Sequence, residues 1–451
     1  MIVRKRRFGW PIELAHPGLI VVVWFAVLIG GGSLLLRHPL AHQAQTVSWG
    51  EATFTAASAV TVTGLSVVDT GTVWSLWGEF VLLALIQVGG LGVMTMAAFF
   101  GIVLHRKLGV RSGMLAGAET GLTDLGLLRT LIRDMVLFVV GAELLVAVLL
   151  TFGFWRTSES LAHSVHLGVF HAVSAFNNAG FSIIPGGLEG FVDDWWVSLV
   201  VCAAFIVGGL GFPTVFEVLG CWRHRSRLSL HAKVTLSATG VLLVGGALLI
   251  GVAEWSNPST LAPLSPEDRV LASFFQSATA RTAGFNTVAL SDLAPATTLV
   301  FLVLMLIGAG STSTGGGVKV TTVVVVWRTW LAEMRGDSEV DVFGRRIPTG
   351  VQRQALALLA AAVSAVIAGA LVLTLLEPRL PLGVVLFESA SAFGTVGVTA
   401  GATSEFDGWG RVVLMLLMFI GRVGPTTFGA AVLMRRRRRN FDYPQEPLIV
   451  G

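Results

Sequence analysis

Four times along this chain a phenylalanine stands ten residues before a glycine, and the residues between keep one pattern. The segments are FTAASAVTVTG (Phe54–Gly64), FHAVSAFNNAG (Phe170–Gly180), FFQSATARTAG (Phe274–Gly284) and FESASAFGTVG (Phe387–Gly397). Six residues before each glycine lies Ser or Ala (Ser58, Ser174, Ala278, Ser391), and five before it Ala or Thr (Ala59, Ala175, Thr279, Ala392). The glycines fall 116, 104 and 113 residues apart. A second cluster follows each of them by 24 to 28 residues: Gly89-Gly90-Leu91-Gly92, Gly208-Gly209-Leu210-Gly211, Gly308-Ala309-Gly310 and Gly421-Arg422-Val423-Gly424. Offsets that recur four times mark an internal repeat, which decides the architecture before any motif does.

The medium follows from what surrounds the repeats. Charged residues make up 13% of the chain against 54% hydrophobic, with a mean hydropathy of +0.77. A soluble domain carries about 25% charged residues, so a water-soluble fold is excluded. Apolar runs of roughly 18 residues or more recur, each able to cross a hydrocarbon core of about 30 Å as a helix. Most of the Lys and Arg residues fall in five clusters: Arg4–Arg7, Arg106 to Arg133, Arg223 to Lys233, Arg328 to Arg353, and Arg435–Arg439. Acids such as Asp69, Asp193, Asp194, Asp292, Glu405 and Asp407 lie midway between them. Positive charge stays on the cytoplasmic side, so each intervening segment crosses outward and returns. This predicts eight crossings, both termini in the cytoplasm, and an inner (plasma) membrane location. The apolar run near Gly18 to Leu36 is too long for a signal peptide and reads as a retained first helix. Two cysteines, Cys202 and Cys221, support neither a disulfide framework nor a thiol metal site.

About ten residues before each glycine cannot span the bilayer, yet they lie between two spanning helices. Irregular backbone survives at that depth only when buried in protein or lining a watery cavity. The expected fold class is therefore an all-α polytopic membrane protein. Four pseudo-fourfold repeats of helix, re-entrant pore helix, filter loop and helix would surround one pore. The expected organisation is one transmembrane pore domain, 1–451, with repeats near 11–105, 115–225, 230–335 and 350–434 and a tail at 435–451.

The loops read Thr61-Val62-Thr63-Gly64, Asn177-Asn178-Ala179-Gly180, Arg281-Thr282-Ala283-Gly284 and Gly394-Thr395-Val396-Gly397. Potassium filters present rings of backbone carbonyls that replace the ion's hydration shell. Turning successive carbonyls toward one axis needs conformations that glycine adopts without strain. Thr395-Val396-Gly397 is closest to a potassium-channel signature, and four aligned loops carry more weight than it does alone. With one glycine per loop, fewer well-formed sites are expected than in a tetrameric channel.

Two features point to a gate. The third return segment, about Ala296 to Trp330, would make some 50 Å of helix, and its middle reads Gly308-Ala309-Gly310-Ser311-Thr312-Ser313-Thr314-Gly315-Gly316-Gly317, with Lys319 after it. Glycine costs a helix about 1 kcal/mol per residue, so a break and an intramembrane loop are expected. The run does not meet the phosphate-cradling G-x-x-x-x-G-K-[ST] pattern. Arg422 sits mid-span in the fourth return helix, where a charge is functional by default. A cation below a cation filter would oppose passage. Arg281, at the filter's base, is expected to pair with Glu388 for a structural purpose. His163, His166 and His171 lack an acid or cysteine to complete a metal site. The tryptophans, Trp195, Trp196 and Trp255 among them, read as interfacial belts. No nucleophile and base are arranged for catalysis, so the chain is not expected to be an enzyme.

These motifs resemble the Trk/Ktr/HKT superfamily of cation transporters. The resemblance covers nearly the whole chain and is carried by Thr61–Asp69 (TVTGLSVVD), Arg281–Thr287 (RTAGFNT), Ser313–Lys319 (STGGGVK) and Phe419–Pro425 (FIGRVGP). It implies potassium (K+) uptake through a homodimer of pores, with a gating loop at the glycine run. It also implies a KtrA-like, RCK-type nucleotide-binding subunit in the cytosol and frequent stimulation by sodium (Na+). Since serine at the first filter glycine accompanies sodium permeation in plant relatives, Gly64 favours potassium. Lack of an extra N-terminal helix pair fits the shorter Ktr type. A carrier for sodium or ammonium, and a non-transporting membrane scaffold, are the competing readings.

Overall fold

The protein is described from a computed structural model covering residues 17–43, 46–108, 124–158, 160–224 and 227–434. Arg4–Arg7, Arg435–Arg439 and the tail 435–451 lie outside the described residues. The described chain is almost wholly helical and runs through one pattern four times. The first pass is α1 (Pro17–Arg37), α2 (Trp49–Thr61), the single turn α3 (Thr70–Val73) and α4 (Leu76–Leu108). The second is α5 (Asp124–Trp155), α6 (Leu161–Phe176), α7 (Trp195–Leu210) and α8 (Phe212–His224). The third is α9 (Leu230–Glu254), α10 (Pro266–Thr279), α11 (Pro295–Leu306) and α12 (Val320–Arg335). The fourth is α13 (Thr349–Leu376), α14 (Leu382–Gly394) and α15 (Gly408–Met434).

The helices that open passes two, three and four contain apolar stretches long enough to cross a membrane: Thr130–Trp155, Leu230–Glu254 and Thr349–Leu376. Their outer faces expose large apolar side chains, among them Val241, Leu248 and Val252 on α9 and Ile367, Leu371 and Leu375 on α13. Water would penalise such continuous faces, whereas lipid does not. The chain is accordingly a multi-pass membrane protein.

The second helices, α2, α6, α10 and α14, have only 13 to 16 residues. At about 1.5 Å per residue they are too short to span. Their starts are built in the sequence. Ser48 and Glu51 form a reciprocal capping box, while Ser160 and Ser265 accept from the amides of His163 and Asp268. These hydroxyls satisfy amides that would otherwise be left without partners in the first turn. Of the aligned phenylalanines, Phe54, Phe170 and Phe387 are fully buried. In the third pass the neighbouring Phe275 takes that place and Phe274 is only partly buried.

Cross-pass packing closes a ring. The return helix of each pass packs on the short helix of the next: α4 on α6, α7 on α10, α11 on α14, and α15 back on α2. The third return segment breaks where the glycine run predicts: α11 ends at Leu306 and α12 resumes at Val320, joined by an isolated bridge between Ile307 and Val318. A second break, between α7 and α8, has no counterpart in the sequence reading. The chain bends there by 103° at Gly211, whose φ is +87°. One small departure from an all-helical chain is a hairpin after α12. There β1 (Asp341–Val342) pairs antiparallel with β2 (Arg345–Arg346) across Phe343-Gly344. Both turn residues have positive φ, as a two-residue hairpin turn requires.

Candidate ion filter and gate

The short helices end in the same way. In α2, α6 and α14 the amide one residue before the marker glycine donates to the carbonyl six residues before it: Thr63 to Ser58 at 2.8 Å, Ala179 to Ser174 at 2.7 Å, and Val396 to Ser391 at 2.9 Å. The third pass shifts by one, Ala283 donating to Thr279 at 3.0 Å. This hydrogen-bonding pattern places a left-handed residue just past the helix. That residue lies two positions before the glycine in every pass: Val62 (φ +54°), Asn178 (+60°), Thr282 (+76°) and Thr395 (+49°). The glycines themselves have φ of +95°, +69°, +82° and +90°. Three of the four left-handed residues are β-branched, for which this conformation costs of order 1–3 kcal/mol. A strained backbone repeated four times at one register is imposed by the surrounding structure.

The four glycines then meet one another. A side-chain carbon added to Gly64 would strike the Ala179 carbonyl. One on Gly180 would lie 2.7 Å from Gly284 Cα, and one on Gly284 2.7 Å from the Val396 carbonyl oxygen. One on Gly397 would strike the Thr63 carbonyl, returning to the first loop. Each loop abuts the next in chain order. The downstream glycines serve the same approach: Gly89, Gly208 and Gly421 pass against the Val60, Phe176 and Phe393 carbonyls, in the last turns of α2, α6 and α14.

Directly against this ring lies the glycine-rich loop. Thr314 Oγ1 donates to Asn178 Oδ1 (2.9 Å), Asn178 Nδ2 donates to Thr282 Oγ1 (3.3 Å), and the Gly316 amide donates to Thr395 Oγ1 (3.0 Å). Gly315 and Gly316 are tight against Thr282 and Thr395, where no Cβ would fit. The left-handed residues of passes two, three and four thus all touch the loop, while Val62 of the first has no polar group to offer. On the other side, the amides of Gly310 and Gly317 donate to the carbonyls of Gly209 (2.8 Å) and Gly421 (3.3 Å). Lys319 Nζ reaches back to the Gly315 carbonyl at 2.5 Å. Arg422, 2% exposed, donates through Nη1 to the Thr314 carbonyl. Among the described residues its Nε and Nη2 have no hydrogen-bond partner.

Most of the residues singled out from sequence therefore converge, with one correction. Arg281 does not pair with Glu388. Its Nη2 lies 3.5 Å from Thr239 Oγ1 and from the Gly308 carbonyl. Glu388 instead accepts from Thr399 Oγ1 (2.5 Å), the Ala400 amide (3.0 Å) and Thr403 Oγ1 (2.8 Å), bracing the turn beyond the fourth loop. The Asn177 side chain turns away from the gate loop: its Nδ2 donates to Gln87 Oε1 and Glu143 Oε1, each at 2.8 Å. Glu143 escaped the sequence reading although an acid within an apolar span was a sufficient signal. The bend at Gly211 escaped too, although Gly211 belongs to the repeat marker and a Gly-Phe-Pro follows Leu210. Of the three histidines, His163 and His166 keep a ring contact at 6.5 Å between centroids, His166 pairs with Glu79 at 2.5 Å, and buried His171 bonds Ser182 Oγ at 2.9 Å.

A family model described as "TrkH: Cation transport protein" matches residues 3–438. The chain is 38% identical over 451 residues to the Ktr system potassium uptake protein B of Bacillus subtilis (strain 168), covering all of both chains. It is 38% identical to the protein of the same name from Vibrio alginolyticus, over 97% of this chain and 95% of the other. It is 33% identical to the potassium/sodium uptake protein NtpJ of Enterococcus hirae, over 100% and 98%. The crystal structure of the potassium transporter TrkH from Vibrio parahaemolyticus superposes with a TM-score of 0.75. That match has 20% identity and covers 96% of this chain and 87% of the other, a likeness of fold.

Proposed function

The chain belongs to the TrkH cation transport protein family, and from that premise we propose that it is a potassium uptake transporter whose four glycine loops form the selectivity filter. The observation that carries this reading is the closed ring of Gly64, Gly180, Gly284 and Gly397, each at positive φ and each against the next loop's backbone. Positive φ at two positions in each loop, with one residue between them, is the kind of backbone that turns carbonyls toward one axis, which is what replacing a hydration shell requires. The ends of α2, α6, α10 and α14 add partial negative charge where a cation would sit.

The loop from Gly308 to Gly317 is the gate. It fills the space against the filter and is tied to three of its four strands. Arg422 reinforces the closed state twice: its charge opposes a cation in the pathway, and its bond to Thr314 pins the loop. Opening requires both to yield. The control signal is assigned to a cytosolic nucleotide-binding subunit of the RCK type acting on a homodimer, in keeping with the relatives' description as parts of a Ktr system. The basic clusters face the cytoplasm by the charge rule, and a potassium uptake role places the protein in the plasma membrane.

A second reading is favoured by NtpJ, whose name couples potassium with sodium. In that case sodium is co-transported or stimulates flux. The deciding experiment is 86Rb+ uptake into proteoliposomes, competed with K+, Na+ and Li+, with and without a cytosolic partner. Competition by K+ well ahead of Na+ and Li+ is expected. Equal competition by all three would overturn a carbonyl filter selective for potassium.

A further inference from the structure

Behind the second loop lies a polar cluster anchored on that loop's own Asn177. Glu143, from the middle of the apolar helix α5, is 8% exposed. Its Oε2 accepts from Gln87 Nε2 of α4 at 3.0 Å, and its Oε1 accepts from Asn177 Nδ2 at 2.8 Å. Asn177 Nδ2 also reaches Gln87 Oε1 at 2.8 Å, so the three side chains close a ring. An acid in the bilayer interior costs roughly 2.5–3.5 kcal/mol on insertion scales. Both its partners here are amides rather than cations.

What the cluster grips gives it a purpose. Asn177 is the first residue past α6, and its neighbour is the left-handed Asn178. These adjacent asparagines face opposite ways, Asn177 to Glu143 and Asn178 to Thr282 and Thr314 of the gate loop. Gly90 lets the α4 backbone come close to Asn177 Oδ1, where a Cβ would strike that oxygen. We propose that Glu143 is a positioning residue for ion selection: with Gln87 it clamps Asn177 and so fixes the second strand of the filter. This rests on the filter reading above.

The test uses the full chain in proteoliposomes and compares 86Rb+ with 22Na+ uptake for wild type, E143A and E143Q, with thermal melting of each purified protein. E143A removes both acceptors, and its Rb+/Na+ ratio is expected to fall roughly tenfold, the scale of one lost hydrogen bond to a charged group. E143Q keeps the volume but offers one acceptor instead of two, and its ratio falls by less. It carries the test alone where E143A does not fold. A lowered melting temperature with an unchanged ratio would make Glu143 a helix tie and overturn the proposal. A wild-type chain without preference for Rb+ removes the filter reading and the clamp together. A wild-type preference that survives undiminished in the variants removes the clamp alone.

Discussion

At Gly397 the backbone sits at φ +90° with the Thr63 carbonyl where a Cβ would go. Replacement by alanine meets two penalties there, a disfavoured conformation and a backbone clash. The first alone is about 1 kcal/mol or more. Gly397→Ala is expected to cut 86Rb+ uptake at least about tenfold while the purified protein still folds, since the ring is a small part of the buried core. Uptake at wild-type level would show that the glycine is not in the pathway. Arg422 is the opposite case, a residue whose removal should help flux. Arg422→Gln takes away the opposing charge and weakens the hold on Thr314. Uptake without a regulatory partner is expected to rise several-fold, the scale of 1–2 kcal/mol. Unchanged uptake at normal expression would reduce Arg422 to a tie between helix and loop.

At the scale of elements, the proposed gate is a broken helix whose two halves, α11 and α12, flank a loop that has exchanged helical bonds for bonds to other passes. The loop's amides and hydroxyls find Gly209, Gly421, Asn178 and Thr395. Such a segment opens at modest cost, because each lost bond is worth only about 0.5–1.5 kcal/mol net. Thr395→Val keeps the shape and deletes the acceptor for Gly316. It is expected to raise partner-independent uptake, with Thr395→Ser restoring the closed behaviour. Equal uptake in the valine and serine variants would uncouple the loop from the fourth strand. The bend at Gly211 belongs to the same device. A Cβ on Gly211 would strike the Ser311 carbonyl, so the bent second return segment and the broken third are fitted to each other.

For the whole molecule, the ring order is set by each return helix packing on the next short helix, with α15 closing on α2. The hairpin at 341–346 and the end of α9 near Ser259 should then lie on opposite sides of the membrane. In cells carrying a variant without native thiols, a cysteine at Ser259 is expected to react with an impermeant maleimide added outside. One at the exposed Phe343 should react only after permeabilisation. Labelling of Phe343→Cys in intact cells would invert the topology read from the basic clusters.

Much of this was legible in the sequence because it is governed by local rules. Glycines at fixed offsets, apolar runs of spanning length and a glycine run too irregular for a helix each report the needs of their own backbone. Those features alone determined a four-pass membrane fold with four glycine loops and one interrupted return segment. The tertiary structure decided which groups meet. Arg281 was matched to Glu388 by charge, yet Glu388 is satisfied within its own pass by Thr399, Ala400 and Thr403. Asn177 finds its acceptor 34 residues away, in Glu143, and Thr314 meets Asn178 across 136. Periodicity and turn chemistry act over a few residues, whereas pairing at those separations depends on how rigid helices come to rest against one another. The four glycines could be found by counting, but that they face each other in a ring follows only from the packing around them.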